Sequence, residues 1–331
     1  MSKFTQILCG IFLKSKKKAN LSINKINGIN ILFNQQHDKV IRDYYLYCVN
    51  LISRQIDHID CRCNIIFGKY SFQFSNSYPT INIDFQIEHT LVKPGGRSSD
   101  EAKAGVVPVA GLNETNYLVR IANFAYLNNL DVVIEYSRPN FINIEKCGEY
   151  KAFTEKLFIL APLLYDTEIG LASTKRNFEV ITLFGNPNEP RRRSFLNYLE
   201  SSGVKFRNIN NYFNEIDHLY RNIKILINIR QTDHHDTLEE LRILPALRCG
   251  TIVICEDAPL RDATGYSQFI LWSSLEDMPD LIKDVLNNYD AYHQRIFGGE
   301  TFTRRMKRLE FRNKIIANRI AARVKLIALS S

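Results

Sequence analysis

The chain has 331 residues and a mass of 38.4 kDa, with 45% hydrophobic and 24% charged residues and a generous supply of core-forming aromatics, 20 Phe and 16 Tyr. That composition excludes disordered, fibrous and small disulfide-stapled proteins and fits about two domains at roughly 150 residues each. The net charge of +8 is carried by residues 301–331, where nine Lys and Arg face Glu310 alone; the rest of the chain is neutral, so the pI near 9.0 does not mark the body as nucleic-acid binding.

Residues 1–20 hold a short apolar run followed by Lys14-Ser15-Lys16-Lys17-Lys18. A secretory signal has the opposite order of charge and apolar residues, so the segment reads as a leader arm or first strand. No stretch approaches 18 apolar residues, and no transmembrane helix is expected. A strand follows over 26–34. Over 37–56, Val40, Tyr44, Val49 and Ile52 recur at helical spacing. A strand is expected over 63–67, and a longer one over 80–92, where Ile81, Ile83, Phe85 and Ile87 alternate with polar residues. Lys93-Pro94-Gly95-Gly96-Arg97 is a loop by composition. The segment 117–127 reads as a helix and 131–136 as a strand.

After a change of pattern over 159–176, strands are expected at 178–184, 204–209, 223–229, 251–256 and 269–272. Helices are expected between them at 190–199, 215–222 and 237–247, and after them at 275–286. Strand and helix in alternation are the mark of an α/β protein with parallel sheets. The expected fold is α/β, two Rossmann-like doubly wound domains facing a cleft. The boundaries are 1–165 for the first, 166–290 for the second and 291–331 for basic C-terminal helices. Seven cysteines, several inside apolar runs such as Ile252-Val253-Ile254-Cys255, read as free core thiols in a reducing compartment. Cys61-Arg62-Cys63 lacks a second pair at zinc spacing.

In a parallel sheet, ligands sit beyond the carboxyl ends of the strands. Four loops of the second unit meet that condition, at 185–193, 210–214, 230–240 and 257–266, and they gather its Arg, His and Asp clusters. Arg191-Arg192-Arg193 opens a helix after the Gly185 loop; cations at a helix N-terminus oppose its dipole and so point to an anionic partner. Asp233-His234-His235-Asp236 has the composition of a metal site but not the i, i+4 helical spacing, and no metal is expected. Asp236 or Thr237 is also a natural N-cap for the next helix.

The stretch from Thr237-Leu238-Glu239-Glu240-Leu241-Arg242 to Gly250, with Thr251-Ile252-Val253-Ile254-Cys255-Glu256-Asp257 after it, resembles the nucleotide-binding helix and strand of GT-B glycosyltransferases. The run from Phe269-Ile270-Leu271-Trp272-Ser273 to Pro279-Asp280-Leu281 is similar to exostosin-like and spore-coat-type transferases. The resemblance covers about residues 177–290. It implies transfer of a hexose or pentose from a nucleotide-sugar donor to a glycan or lipid-linked acceptor, with no cofactor and no nucleic acid, in the service of polysaccharide synthesis. It places Arg242, with Arg191 or Arg193, on the diphosphate beside the Gly185 loop. Glu239 or Glu240 falls to the ribose, and His234 or His235 to the donor sugar or phosphate. The two glutamates eight residues apart of many retaining enzymes are replaced by Thr237 and Pro245, so an inverting, metal-independent reaction is implied. Its general base would come from the first unit, as Glu88 or His89, with Lys93 and Arg97 as acceptor or phosphate contacts; the same strand end also reads as an ordinary polar sheet face.

In the tail, Met306, Leu309, Ile316, Ile320, Val324 and Ile327 form one stripe of a basic amphipathic helix. The stripe either packs on the body or meets an anionic membrane surface through 304–331, which would make a cytoplasmic protein peripheral to a membrane. The competing reading is a non-catalytic nucleotide- or glycan-binding protein whose tail docks on a membrane or on nucleic acid.

Overall fold

The computed structural model describes residues 21–35, 41–57, 59–104, 117–165, 176–210 and 216–330. The leader arm, the start of the helix expected over 37–56, and parts of the 159–176 segment and the 210–214 loop lie outside the described residues.

The first unit opens with β1 (Leu21–Ile26) and β2 (Ile29–Asn34), then α1 (Arg42–Ile56), β3 (Cys63–Phe67) and β4 (Thr80–Gln86). Three short strands follow, β5 (Leu91–Val92), β6 (Lys103–Ala104) and β7 (Leu118–Val119). After α2 (Phe124–Leu127) come β8 (Val132–Glu135), α3 (Arg138–Lys146) and β9 (Leu157–Ile159). The main sheet has the order β1-β2-β3-β4-β8-β9, parallel throughout except for β1. Its strands alternate faces at period two. Ile31, Ile65, Ile83 and Ile134 pack under α1, whereas Val133 and Leu157 pack with Val119, Ile121 and Ile144 on the other side.

The longer strand expected over 80–92 is two, since β4 ends at Gln86 and the chain resumes as β5 at Leu91 in a different sheet. The strand expected over 26–34 is the second arm of a hairpin. Asn27 and Gly28 both have positive φ, +45° and +89°, as a two-residue type I′ turn requires, and an Asn-Gly pair meets that need. The helix expected over 117–127 is a strand, a turn and one helical turn. Tyr117, Val119 and Ile121 are buried while Leu118 and Arg120 are less so, which is strand periodicity, and Asn123 in the left-handed region (φ +55°) stops any helix from running through.

The second unit runs β10 (Phe178–Thr182), α4 (Pro190–Ser201), β11 (Arg207–Asn208), α5 (Asp217–Asn222) and β12 (Ile223–Asn228). It continues with α6 (Glu240–Arg248), β13 (Ile252–Glu256), β14 (Leu271–Ser273), α7 (Met278–Asn287) and α8 (Tyr289–Phe297). Its strand order is β11-β10-β12-β13-β14, all parallel. With both faces covered, β12 and β13 are apolar along nearly their whole length, as strands buried on both sides must be. The chain starts one strand in from the edge of this sheet, moves outward to β11, then returns to the other side of β10. The loops leaving β10 and β12 therefore diverge and open a crevice between them, the ligand position of a doubly wound sheet. The order of the first sheet is sequential, so the crevice belongs to the second unit. Together the two sheets make the α/β architecture expected, each with Rossmann-like parallel strands.

One long helix, α9 (Glu300–Ser330), ends the chain and runs across both units. Phe302, Met306 and Leu309 enter the second unit's core; Ala317, Ile320, Ala321 and Val324 enter the first unit's, against α1. The six cysteines among the described residues are all free and buried.

Candidate functional site

The crevice at the carboxyl ends of β10 and β12 is flanked by two arginines. Arg191 stands in the first turn of α4, and Arg230 two residues beyond the end of β12. Both reach Glu256, the last residue of β13. Arg191 Nη1 donates to Glu256 Oε2 at 2.9 Å, Arg230 Nε donates to Oε1 at 2.8 Å, and a second guanidinium nitrogen of each bonds the same carboxylate. Glu256 is 5% exposed; burial pushes its carboxyl up, but the two arginines outweigh that and hold it below the usual range. Arg230 also bonds Asp236, which accepts from the Tyr117 hydroxyl and lies 3.9 Å from Lys93 Nζ. Arg191 Nε donates to Asp233 at 2.6 Å, and that carboxylate is 75% exposed. These groups line a cleft of about 380 Å³, with Lys93 and Tyr117 from the first unit and Ser273, Ser274 and Glu276 opposite.

The two units are joined beside this cleft by backbone pairing. Val92 forms a bridge with His235, Lys93 N donates to His234 O at 2.9 Å, and Asp236 N to Leu91 O at 3.2 Å. Thr237 Oγ1 accepts from the backbone N–H of both Thr90 and Leu91. Thr237 therefore does not cap the following helix: α6 begins at Glu240, and Glu239 occupies the N-cap position without a side-chain cap bond. Behind Thr90 a fully buried network runs through Asn140 and Asn143 to Glu135, whose Oε1 accepts from Ser137 N and Asn140 Nδ2 at 3.0 Å each. Such a network fixes the 89–91 strip to the first unit from below.

On that strip His89 meets the second unit. Its Nε2 lies 3.5 Å from Glu239 Oε1, and its ring stacks on His235 with centroids 4.8 Å apart and planes 17° from parallel. His89 Nδ1 and His235 Nε2 are buried and have no hydrogen-bond partner, while His235 Nδ1 is 2.9 Å from Thr232 Oγ1. Burial, then His89, Arg120, Arg97 and His234, lower the His235 pKa to about 4, so it is neutral at pH 7. Glu239 is held below the usual range despite burial, by Arg242 first and His89 next.

The sequence-derived candidates thus fall into three places. Arg191, Lys93 and, from the 233–236 loop, Asp236 share the cleft. His89, His235 and Glu239 meet just behind it, and Arg242 faces Glu239 from a separate crevice of about 60 Å³ lined by Tyr44, Asp43 and Tyr165. The others stand apart. Glu88, Arg97, Arg193 and His234 are exposed, and Gly185 borders open space. A Cβ on Gly96 would come within 2.5 Å of the His234 ring, so the Gly95-Gly96 loop packs on the His234 loop only because position 96 has no side chain. Glu240 is not a cleft residue: it is 2% exposed, accepts from Tyr266 and Ser137, and its carboxyl is pushed up to about 7 by burial. Arg192, the middle of the three arginines, is buried over the Phe184 ring. The side chains of Asp233, His234, His235 and Asp236 diverge to four different surroundings. Sequence reasoning did not single out Arg230, Glu256 or Tyr117; the position of Arg230 just after an apolar strand was the available signal for the first.

No protein-family description matches the chain. It is similar to an uncharacterized protein of Acanthamoeba polyphaga mimivirus, 28% identical over 188 residues. That match covers 55% of this chain and 65% of the relative, so the chain spans less than two thirds of the relative's length. Among solved structures it is similar to an α1,3-fucosyltransferase with GDP-fucose, at a TM-score of 0.37 and 14% identity, over 80% of this chain and 77% of that one. It is also similar to the glycotransferase of kitacinnamycin, at a TM-score of 0.36 and 10% identity, over 89% and 84% of the two chains. Both are sugar transferases, the class that the sequence resemblance implies; at these scores the likeness carries no argument about what this chain binds or does.

Proposed function

We propose that the chain is a glycosyltransferase of the GT-B type, which binds a nucleotide-sugar in the cleft between its two units and transfers the sugar with inversion and without a metal ion. The observation that carries this reading is the pair Arg191 and Arg230 at the switch point of the second sheet, facing Lys93 of the first unit across the cleft. Three cations at the carboxyl ends of parallel strands suit a diphosphate whose oxygens take over donors that carboxylates such as Asp233 and Asp236 hold in the free protein. Arg191 is already bonded to Asp233, but that bond is exposed and worth only about 0–1 kcal/mol, so an incoming phosphate displaces it readily. The Glu256 carboxylate keeps both guanidiniums aimed.

His89 is the general base of this proposal. Glu239 on one ring nitrogen leaves the other, Nδ1, buried behind the cleft in the free protein, as the lone pair that takes the acceptor hydroxyl's proton once acceptor binding opens a path to it. As the hydroxyl oxygen attacks the anomeric carbon, the bond to the diphosphate breaks, its electron pair leaves on the diphosphate oxygen, and Arg191, Arg230 and Lys93 stabilise that charge in place of a metal. His89 and Lys93 are four residues apart on an extended strip, about 13 Å at 3.3 Å per residue, which leaves room for a sugar and its diphosphate between them. Glu239 is then a positioning residue, and the acceptor is a glycan or a lipid-linked saccharide.

A thermal-shift screen of the full chain against nucleotides and nucleotide-sugars tests the reading. A ligand at a hundredfold excess over its Kd adds about 2.7 kcal/mol and raises Tm. Arg191→Ala, in a protein that still unfolds cooperatively, is expected to abolish the shift given by the wild type. No stabilisation of the wild type by any nucleotide-sugar sinks the proposal. Binding without transfer to any acceptor, together with a His89→Ala protein that behaves identically, favours the non-catalytic binding protein.

A further inference from the structure

We propose that the outward face of α9 seats the protein on an anionic lipid surface. The helix is 31 residues long, about 46 Å at 1.5 Å per residue. Most of the stripe that the sequence offers for such a contact is spent on packing: Met306, Leu309, Ile320 and Val324 are at most 6% exposed, inside the two cores. A second apolar row lies on the opposite side. Phe311, Ile315, Leu326 and Leu329 are 65%, 43%, 65% and 67% exposed, four of the six large apolar side chains exposed among the described residues. At 3.6 residues per turn they project within about 60° of one another, with Asn318 and Ala322 between the two clusters.

The charges around this row follow the same geometry. Lys307, Lys314 and Lys325 run along one edge, and Arg308, Arg312 and Arg319 along the other, each within about a quarter turn of the apolar line. All six are exposed. Beyond Glu300 the only acid of the helix is Glu310, and Arg248 holds it at 2.8 Å. An apolar row between two edges of cations fits one environment. The apolar side chains enter the acyl boundary of a bilayer while the Lys and Arg stems reach back to its phosphates. A second copy of the chain does not fit, because two such faces would bring like charges together with no acid between them, whereas paired helices place acids against the flanking cations. A nucleic acid satisfies the cations but leaves the apolar row in water. The inference stands on α9 alone and does not depend on the transferase reading.

The test is co-sedimentation of the full chain with vesicles of phosphatidylcholine alone, or of phosphatidylcholine and phosphatidylserine in a three-to-one ratio, at low and at physiological salt. Binding is expected to the anionic vesicles only, and to weaken as salt rises. The triple variants Phe311→Ser/Leu326→Ser/Leu329→Ser and Lys307→Gln/Lys314→Gln/Lys325→Gln change only exposed positions and should keep the wild-type melting transition. The lysine variant should bind about a hundredfold more weakly, since each of the three cations contributes about fivefold near the surface. Failure of the wild type to bind anionic vesicles at low salt overturns the proposal. So does equal binding to neutral vesicles, or binding that neither triple variant changes. Preference for duplex DNA over vesicles, or a dimer in solution that Phe311→Ser dissolves, would assign the face to a different partner and overturn it equally.

Discussion

His89 sits where three demands on one ring meet: a carboxylate on Nε2, a neutral imidazole stacked on its face, and an unpartnered Nδ1. Its role as base predicts that His89→Ala lowers kcat by about 10²- to 10⁴-fold while the Tm shift given by the donor is retained, because the donor contacts lie on other residues. Equal loss of both would make His89 a structural residue. The stacked partner makes a separate prediction, on stability. The His235 pKa falls from 6.5 to about 4 on folding, so the unfolded chain takes up a proton that the folded one refuses as the pH drops through that window. The stability contributed by neutral His235 is complete above about 6.5 and is lost toward 4. Glu240 works in the opposite direction. Its folded pKa of about 7 against 4.5 means that the unfolded chain sheds a proton first, so stability declines as pH rises from 4.5 to 7. Glu240→Gln, which can still accept from Tyr266, should raise Tm at pH 8 and leave it unchanged at pH 4. A uniform shift at both pH values would show that its effect is packing, not ionisation.

At the level of elements, the strip 89–93 and the loop 233–237 act as one piece because each uses the other's backbone. Thr237 supplies the side-chain part of that junction, and Thr237→Val keeps its shape while orphaning two buried N–H groups. The cost should be about 1–3 kcal/mol for each group left unpaired. Chemical denaturation measures it, and a loss below 0.5 kcal/mol would mean that water replaces the hydroxyl. The sequence was most legible where an element is apolar throughout, as in β12 and β13, or has a sharp start, as at Pro190 of α4. It was least legible where a polar residue had two uses open to it. Thr237 reads equally well as an N-cap and as a tie to another strand, and only the position of Thr90, distant in sequence, decides between them. The alternation Tyr117-Val119-Ile121 was lost for a similar reason, since Tyr117 and Ile121, four residues apart, also share one face of a helix. In the site, Lys93, Arg191 and His89 were readable as charge or imidazole beside strand ends. Arg230, Glu256 and Tyr117 were not, because their importance lies in convergence from three segments distant in sequence.

On the scale of the whole molecule, α9 is the part that makes two units behave as one. Its first half belongs to one core and its second half to the other, and between them Asn313 is buried at the seam. Asn313 Oδ1 accepts from Ala161 N, and Nδ2 donates to Ala161 O and to the Tyr47 hydroxyl. Ala161 lies just past β9, in the segment that leaves the first unit, and Tyr47 is on α1, so one side chain ties the helix to both. A straight helix fixed in this way cannot follow one unit without the other, which predicts concerted unfolding. Trp272 is the only tryptophan of the chain and lies in β14 of the second unit, so its fluorescence reports that unit alone, whereas far-UV circular dichroism reports both. In urea the two signals should fall together in the wild type, the mark of a two-state transition. Asn313→Leu retains the helix and its volume but leaves Ala161 and Tyr47 without their partners, at about 1–3 kcal/mol for each group stranded. The transition should then move to lower urea and split, with the first unit, which loses both ties, unfolding ahead of the tryptophan signal. Coincident curves in the variant would place the coupling elsewhere, in the backbone junction between Val92 and His235.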